Sequence, residues 1–295
     1  MESTVGGALL VDKPAGLSSH EVVARVRKLF GTRAVGHTGT LDPFATGLLV
    51  LVLGSSTRLA RWAEQRRKTY WAVARLGQVT STDDGTGEIL EQAEGIGWPS
   101  PETVEETLKD FIGTHEQRPP AYSAKRVGGV RSYRAARRSG IALELQPVAV
   151  TVFSVELLEW KPPFVTFRAV VSPGTYLRAL ARDLGARLGT GAHLTELRRE
   201  RIGPWEVERA HRLASLTGNE PLLPAEALVE GLGRVALSSD EARLVRHGRD
   251  IASNAVVEGA EAGLFEGDRL VAIGKRTEQG WHPVLVLPDL TPAVS

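Results

Sequence analysis

The segment Gly36-His37-Thr38-Gly39-Thr40-Leu41-Asp42-Pro43-Phe44-Ala45-Thr46-Gly47 runs directly into Leu48-Leu49-Val50-Leu51-Val52-Leu53. The first part is rich in turn formers, and its three glycines permit positive φ or a close backbone approach. The second part is a short unbroken apolar run bounded by Gly54, the pattern of a strand buried on both faces. A loop carrying an acid, delivered onto a buried strand, is therefore the centre from which the chain is read. Upstream, Ala8–Val11 reads as a strand, and Ser18-x-x-Glu21 is a capping box opening a helix through Phe30. Downstream come a helix over 56–65, an alternating strand over 69–76 and a helix from Pro101 that stops before Gly113. Gly128-Gly129 predicts a hairpin, followed by a basic helix over 132–139. Strands over 148–158 and 165–171 lead through Ser172-Pro173-Gly174 to a helix over 176–188. Strands outnumber helices and the links look like hairpins, so the expected class is α+β with a mostly antiparallel mixed sheet flanked by helices. After about residue 230, short apolar segments at Gly263–Phe265, Leu270–Ile273 and Val284–Leu287 predict a small β-barrel. The expected division is 1–230 and 231–295.

Composition bounds the chemistry. The 295 residues carry 36 Lys+Arg against 35 Asp+Glu, with 42% hydrophobic residues, as in an ordinary globular chain of about two domains. The longest apolar run is far too short for a membrane span, and the amino terminus lacks the basic start of a signal peptide, so a cytoplasmic protein is expected. The chain has no cysteine. Disulfides, thiol nucleophiles and His/Cys/Cys zinc deaminase chemistry are excluded. No H-E-x-x-H, G-x-G-x-x-G, Walker A or G-x-S-x-G pattern occurs. Carboxylates, hydroxyls, Arg, Lys and His remain, with no cofactor or metal expected.

Charge is segregated along the chain. Residues 118–138 hold seven basic side chains and no acidic one, interleaved with Tyr122 and Tyr133, the footprint of a nucleic-acid path or of a solvated basic face. Residues 80–116 hold ten acids and a single Lys, a segment expected to lie away from any RNA. Asp42 stands before Pro43 in an extended pose; it either faces a pocket or bonds only its own turn. Arg178 falls in the first turn of a predicted helix, where the helix dipole disfavours a cation, so a carboxylate partner is expected for it. Asp183 on the same helix reads as a surface or packing carboxylate.

The runs Leu10-Val11-Asp12-Lys13-Pro14-Ala15-Gly16-Leu17-Ser18-Ser19 and Gly36 to Gly47 resemble the TruB family of pseudouridine synthases. The later signatures Lys68-Thr69-Tyr70, Thr82-Asp83-Asp84-Gly85-Thr86-Gly87, Pro119 to Lys125, Gly174-Thr175-Tyr176-Leu177-Arg178 and Gly191-Ala192-His193-Leu194 with Leu197-Arg198-Arg199 follow in family order. The carboxyl-terminal part resembles a PUA domain, a small RNA-binding barrel. The resemblance implies a pseudouridine-synthase core that isomerises uridine 55 in the T loop of tRNA. It places Asp42 on the aspartate that forms a covalent adduct, Arg178 on its paired arginine, and Tyr70 on the tyrosine that stacks on the base and removes the C5 proton. His37 falls on the histidine that fills the space left by the flipped base, and Tyr176 and Leu197 fall on the pocket wall. Lys13, Lys125, Arg131 and Arg134 complete the expected substrate-binding set.

The chemistry suits these residues. The N1–C1′ bond breaks, uracil turns while bound, and C5 joins C1′, with no redox change. Asp42 would add to uracil C6 or attack C1′; the residues themselves do not choose. Pairing with Arg178 is expected to lower its pKa by about 1–3, and the apolar run 48–53 to wall off water. The implied partner is tRNA, held at the T stem-loop and, through the carboxyl-terminal domain, at the acceptor stem. A monomer without an obligate protein partner is expected. A guide-dependent pseudouridylase subunit, a non-catalytic RNA-folding protein on the same core, and a hydrolase recruiting Asp83 or Asp183 as second carboxylate are the competing readings.

Overall fold

A computed structural model describes residues 6–93, 95, 97–121, 126–127, 130–131, 146–253, 255 and 257–288, with only the strand pairing described at 126–127 and 130–131. Lys125, Arg134, the expected basic helix and the side chain of Arg131 lie outside the described residues. The amino-terminal elements are β1 (Gly7–Lys13), α1 (Ser19–Leu29), β2 (Val35–His37), β3 (Thr46–Leu53), α2 (Ala60–Glu64), β4 (Lys68–Leu76), β5 (Gln78–Thr80), β6 (Ile89–Gln92), α3 (Pro101–Lys109) and β7 (Gly113–Gln117). Next come β8 (Arg126–Val127), β9 (Val130–Arg131), β10 (Val148–Lys161), β11 (Phe164–Val171), α4 (Leu177–Arg187), β12 (Ala192–Ile202), β13 (Trp205–Glu206) and β14 (His211–Arg212). The chain closes with α5 (Ala225–Leu228), β15 (Gly233–Leu237), α6 (Ser239–Arg246), β16 (Ile251–Ala252), β17 (Glu261–Glu266), β18 (Arg269–Arg276) and β19 (Gly280–Val286).

One large sheet runs β14-β1-β3-β12-β4-β11-β10-β7, with β2 beside β3 and β13 beside β12. Within this sheet, among the described residues, β1–β14 and β3–β12 pair in parallel and the other pairs are antiparallel, as the hairpin-like links predict. The strand 48–53 is fully buried on both faces. Leu48, Val50 and Val52 enter one apolar cluster, and Leu49, Leu51 and Leu53 enter another beneath α1. Period-two alternation divides a wholly apolar strand between two cores. A third cluster packs α3 and α4 on β4, β11 and β12. The capping box at Ser18 and Glu21 is formed, with both reciprocal hydrogen bonds present.

The helix expected over 56–65 begins instead as a 3₁₀ turn, Gly54–Leu59, before α2. Its Gly-Ser-Ser-Thr start favours side-chain bonds to the backbone over α-helix, and Thr57 Oγ1 donates to the Gly54 carbonyl at 2.8 Å. The carboxyl-terminal strands form a curled sheet, β15-β17-β18-β19-β16, a half-barrel. Phe265, Leu270, Ile273 and Leu287 join the cluster that holds Leu48, Val50 and Val52, so it packs directly against the large sheet.

Gly47 fixes how the loop after His37 meets β12. Its φ is +101°, and a Cβ there would overlap the Arg199 backbone, because β3 and β12 pair through Gly47 and Arg199. Gly47→Ala is expected to destabilise the fold by about 2–4 kcal/mol, the sum of left-handed strain and displacement of a packed strand. Denaturant unfolding checks this, and a change below about 0.5 kcal/mol would show that the strands can part freely.

Candidate active site

The loop from Thr38 to Ala45 is stapled at several points, and this rigidity aims Asp42. Thr38 N donates to Val50 O at 3.0 Å, Leu41 N donates to Ser19 Oγ at 2.9 Å, and Ser19 Oγ donates to Leu41 O at 3.1 Å. Ala45 N donates to Asp42 O at 3.1 Å. Lys13 lies beneath the loop, fully buried, with its ammonium donating to the carbonyls of Leu17 (2.7 Å), Pro14 (2.9 Å) and Pro43 (3.3 Å). It holds the loop from below and is not among the residues lining the cleft. Burial brings Lys13 down to about 8, opposed by Asp42 and reinforced by Arg199.

Arg178 enters from the first turn of α4. The side chain of Gln117 fixes that helix start: Tyr176 N donates to Gln117 Oε1 at 2.8 Å, and Gln117 Nε2 donates to Tyr176 O at 3.2 Å. The guanidinium is 4% exposed and touches two carboxylates. Nε lies 3.0 Å from Asp42 Oδ2, and Nη2 donates to Asp42 Oδ1 at 3.3 Å. Nη1 donates to Asp84 Oδ2 at 3.1 Å and to Thr82 O at 2.9 Å. Asp84 is held in turn by the hydroxyls of Thr82 and Thr86 and by Thr86 N. The expected carboxylate partner for Arg178 is thus present, and a second stands behind it.

Three expectations change here. The second carboxylate is Asp84; Asp83 and Asp183 both pair with Arg182 instead. The acidic segment therefore reaches the site, because its loop hooks onto β12 through Gly85 N to Leu194 O and Leu194 N to Asp83 O. The Asp42 carboxyl is raised above its ordinary value, not lowered. Burial drives the rise against the pull of Arg178, Asp84 adds to it and Lys13 opposes it. One-third of the Asp42 side chain stays open to the cleft, enough for a substrate atom to meet it.

The cleft encloses about 360 Å³ and is lined by Asp42, Arg178, Tyr70, His37, Tyr176 and Leu197, among others. Six of the sequence-predicted residues therefore converge on one cavity. Its apolar wall comes from Leu41, Leu177 and Leu197; the run 48–53 is spent in the cores behind it. His37 Nδ1 accepts from Gly39 N at 3.3 Å, and its ring meets His20 edge-on at 5.6 Å. Tyr70, 6% exposed, has its hydroxyl 3.4 Å from Arg199 Nη1. Sequence reasoning gives no role to Arg199, Lys68 or Asp84. For Asp84 a signal exists: Thr82-x-Asp84-x-Thr86 places two hydroxyls around one acid, and a guanidinium offers more donors than one carboxylate can accept. Among the described residues, no helix is long and apolar enough to cross a membrane.

Comparison with known proteins identifies the family. Residues 27–177 match the family described as "TruB family pseudouridylate synthase (N terminal domain)", and residues 178–230 match "tRNA pseudouridylate synthase B C-terminal domain". The chain is 48% identical to the tRNA pseudouridine synthase B of Leifsonia xyli over 250 residues, covering 82% of each chain. It is 44% identical to that of Thermobifida fusca over 292 residues, covering 95% of this chain and 98% of that one. A solved structure titled as an H/ACA RNP bound to a substrate RNA containing 2′-deoxyuridine is 27% identical with a TM-score of 0.72, covering 97% of this chain and 85% of that one. With a pseudouridylate synthase match over half the chain and relatives this similar along most of its length, the chain belongs to the TruB family of pseudouridylate synthases.

Proposed function

We propose that this chain isomerises uridine 55 in the T loop of tRNA to pseudouridine, taking the flipped base into the cleft and using Asp42 as its nucleophile. The observation that carries the reading is the Asp42 carboxylate, clamped by Arg178 and still reachable from a cavity walled by Tyr70 and Leu197. The names of the curated relatives supply tRNA as the substrate class. Extruding the base costs a few kcal/mol, and stacking on Tyr70 returns about 1–3 kcal/mol of that. Asp42 then serves either route by which a carboxylate opens the glycosidic bond, addition at uracil C6 or attack at C1′. Arg178 orients it, Tyr70 takes the C5 proton, and Tyr176 and Leu197 confine the detached ring. His37 braces the RNA loop once the base has left it. Lys125, Arg131 and Arg134 hold the RNA backbone, and Lys13 acts through the loop it pins. The half-barrel, read as PUA-like over 231–295 beside a catalytic domain over 1–230, takes the acceptor stem. The working form is a cytoplasmic monomer with no added cofactor.

The test is incubation of the pure protein with an unmodified tRNA transcript, followed by pseudouridine mapping. One modified site in the T loop is expected, without guide RNA. The resemblance to the RNP structure favours a second reading, in which product forms only when a guide RNA is added; that outcome would replace the first.

A further inference from the structure

Two buried cations share the cleft with Asp42 and have no part in the chemistry above. Lys68 lies on β4 two residues before Tyr70 and is 7% exposed. Its ammonium donates to the carbonyls of Glu64 (2.8 Å) and Arg66 (2.9 Å), which leaves one N–H. Arg199, on β12, is 1% exposed. It donates to Leu48 O (2.7 Å), Gly39 O (3.0 Å), Thr40 O (3.4 Å) and the Tyr70 hydroxyl (3.4 Å). Both side chains converge on Gly39, where a Cβ would stand 3.5 Å from Lys68 Cε and 3.6 Å from Arg199 Nη1. Both line the cavity.

Two like charges buried side by side are costly. Burial, with Arg199 adding to it, brings Lys68 down to about 8, and only Glu64 opposes this. Apolar side chains would pack such a corner at less cost. The largest charge effects on Asp42 come from Arg178, Asp84 and Lys13. Two buried cations, converging on Gly39, are thus set into the lining of the same cavity as the Asp42 carboxylate.

We propose that Lys68 and Arg199 form an anion-stabilising part of the cleft that takes up the negative charge of the uracil ring when its bond to the ribose breaks; this rests on the reading of the chain as a pseudouridine synthase. By the C1′ route, an Asp42 oxygen bonds to C1′ as the N1–C1′ bond breaks, and the bonding pair stays with the ring, spread over N1, O2 and O4. The ring turns, and C5 bonds to C1′ as the Asp42 oxygen leaves with its pair. The C5 proton then departs to a base, and N1 takes up a proton, so the proton count is unchanged. Addition of Asp42 to C6 also loads negative charge on the ring. The bound uridine is neutral, so a cation facing the ring favours the transition state over the ground state.

The probe is a tRNA transcript carrying either uridine or 5-fluorouridine, with cleavage of the target glycosidic bond followed in single turnover. Fluorine stabilises the ring anion, so the fluorinated base depends less on the protein for that charge. Lys68→Met is expected to slow the uridine reaction about 10²-fold relative to wild type, while tRNA affinity stays within about threefold. On 5-fluorouridine the same variant should lose less than about tenfold, and Lys68→Arg should regain most of the uridine rate. Lys68→Gln, which keeps an N–H for the Glu64 and Arg66 carbonyls, is run alongside and should behave like Lys68→Met. Equal losses on both substrates would overturn the proposal, as would a defect confined to tRNA affinity, which would mark Lys68 as a phosphate contact. Failure of wild type to form pseudouridine would instead reject the underlying reading.

Discussion

Asp42→Asn is expected to abolish product formation, by at least about 10⁴-fold in single turnover, while tRNA binding stays within about tenfold. The amide keeps the shape of the carboxyl but cannot carry a covalent intermediate. The fold should not suffer. Asp42, Arg178 and Asp84 together carry one more negative than positive charge, and the variant leaves Arg178 paired with Asp84 alone. Because burial raises the Asp42 carboxyl above its unfolded value, the folded state binds that proton more readily than the unfolded chain does. Ionising it as pH rises through this window therefore costs wild type stability that the Asp42→Asn variant does not lose. At neutral pH the variant should melt no earlier than wild type; below the ordinary carboxylate range the charge difference disappears. The same rise places the acid limb of the wild-type rate above about 3.9, the ordinary aspartate value. Loss of binding or early melting of Asp42→Asn would show that Asp42 is mainly structural.

Much of this was legible in the sequence because it rests on local rules. The apolar run 48–53, too short for a typical helix, reads as a strand with two buried faces, and the capping box at Ser18 marked α1 to within a residue. Arg178 was conspicuous because a cation at a helix start needs a reason, and the reason is Asp42, 136 positions away in sequence. What stayed hidden depends on contacts between distant segments. Nothing local says that β3 and β12 meet in parallel at Gly47, and this pairing carries Arg199 into the cleft. The sign of the Asp42 shift is hidden for the same reason: the sequence names the arginine but not how deeply the pair is enclosed. Lys13 reads as a cation available to RNA until its ammonium is seen spent on three carbonyls.

Arg178→Met tests the other half of the site and should be among the most destabilising single changes in the chain. It leaves Asp42 and Asp84 enclosed without the guanidinium that touches both, at an expected cost of about 3–5 kcal/mol. For a chain of this size that lowers the melting temperature by roughly 10 °C. Activity should vanish with it, since Asp42 loses its aim. Arg178→Lys should not rescue: one ammonium cannot reproduce contacts to Asp42, Asp84 and the Thr82 carbonyl from three different guanidinium nitrogens. Asp84→Asn alone keeps the Arg178–Asp42 pair but removes the brace behind it, so its effect should fall on rate, about 10²-fold for a nucleophile displaced by an ångström. Combined with Arg178→Met, Asp84→Asn should recover at least about 1 kcal/mol of stability, since one of the two stranded charges is gone. Lower pH should act in the same direction: as Asp42 takes up its proton, the penalty in Arg178→Met shrinks. Purely additive effects, or an Arg178→Met protein as stable as wild type at every pH, would mean that the guanidinium is not what holds the two carboxylates together.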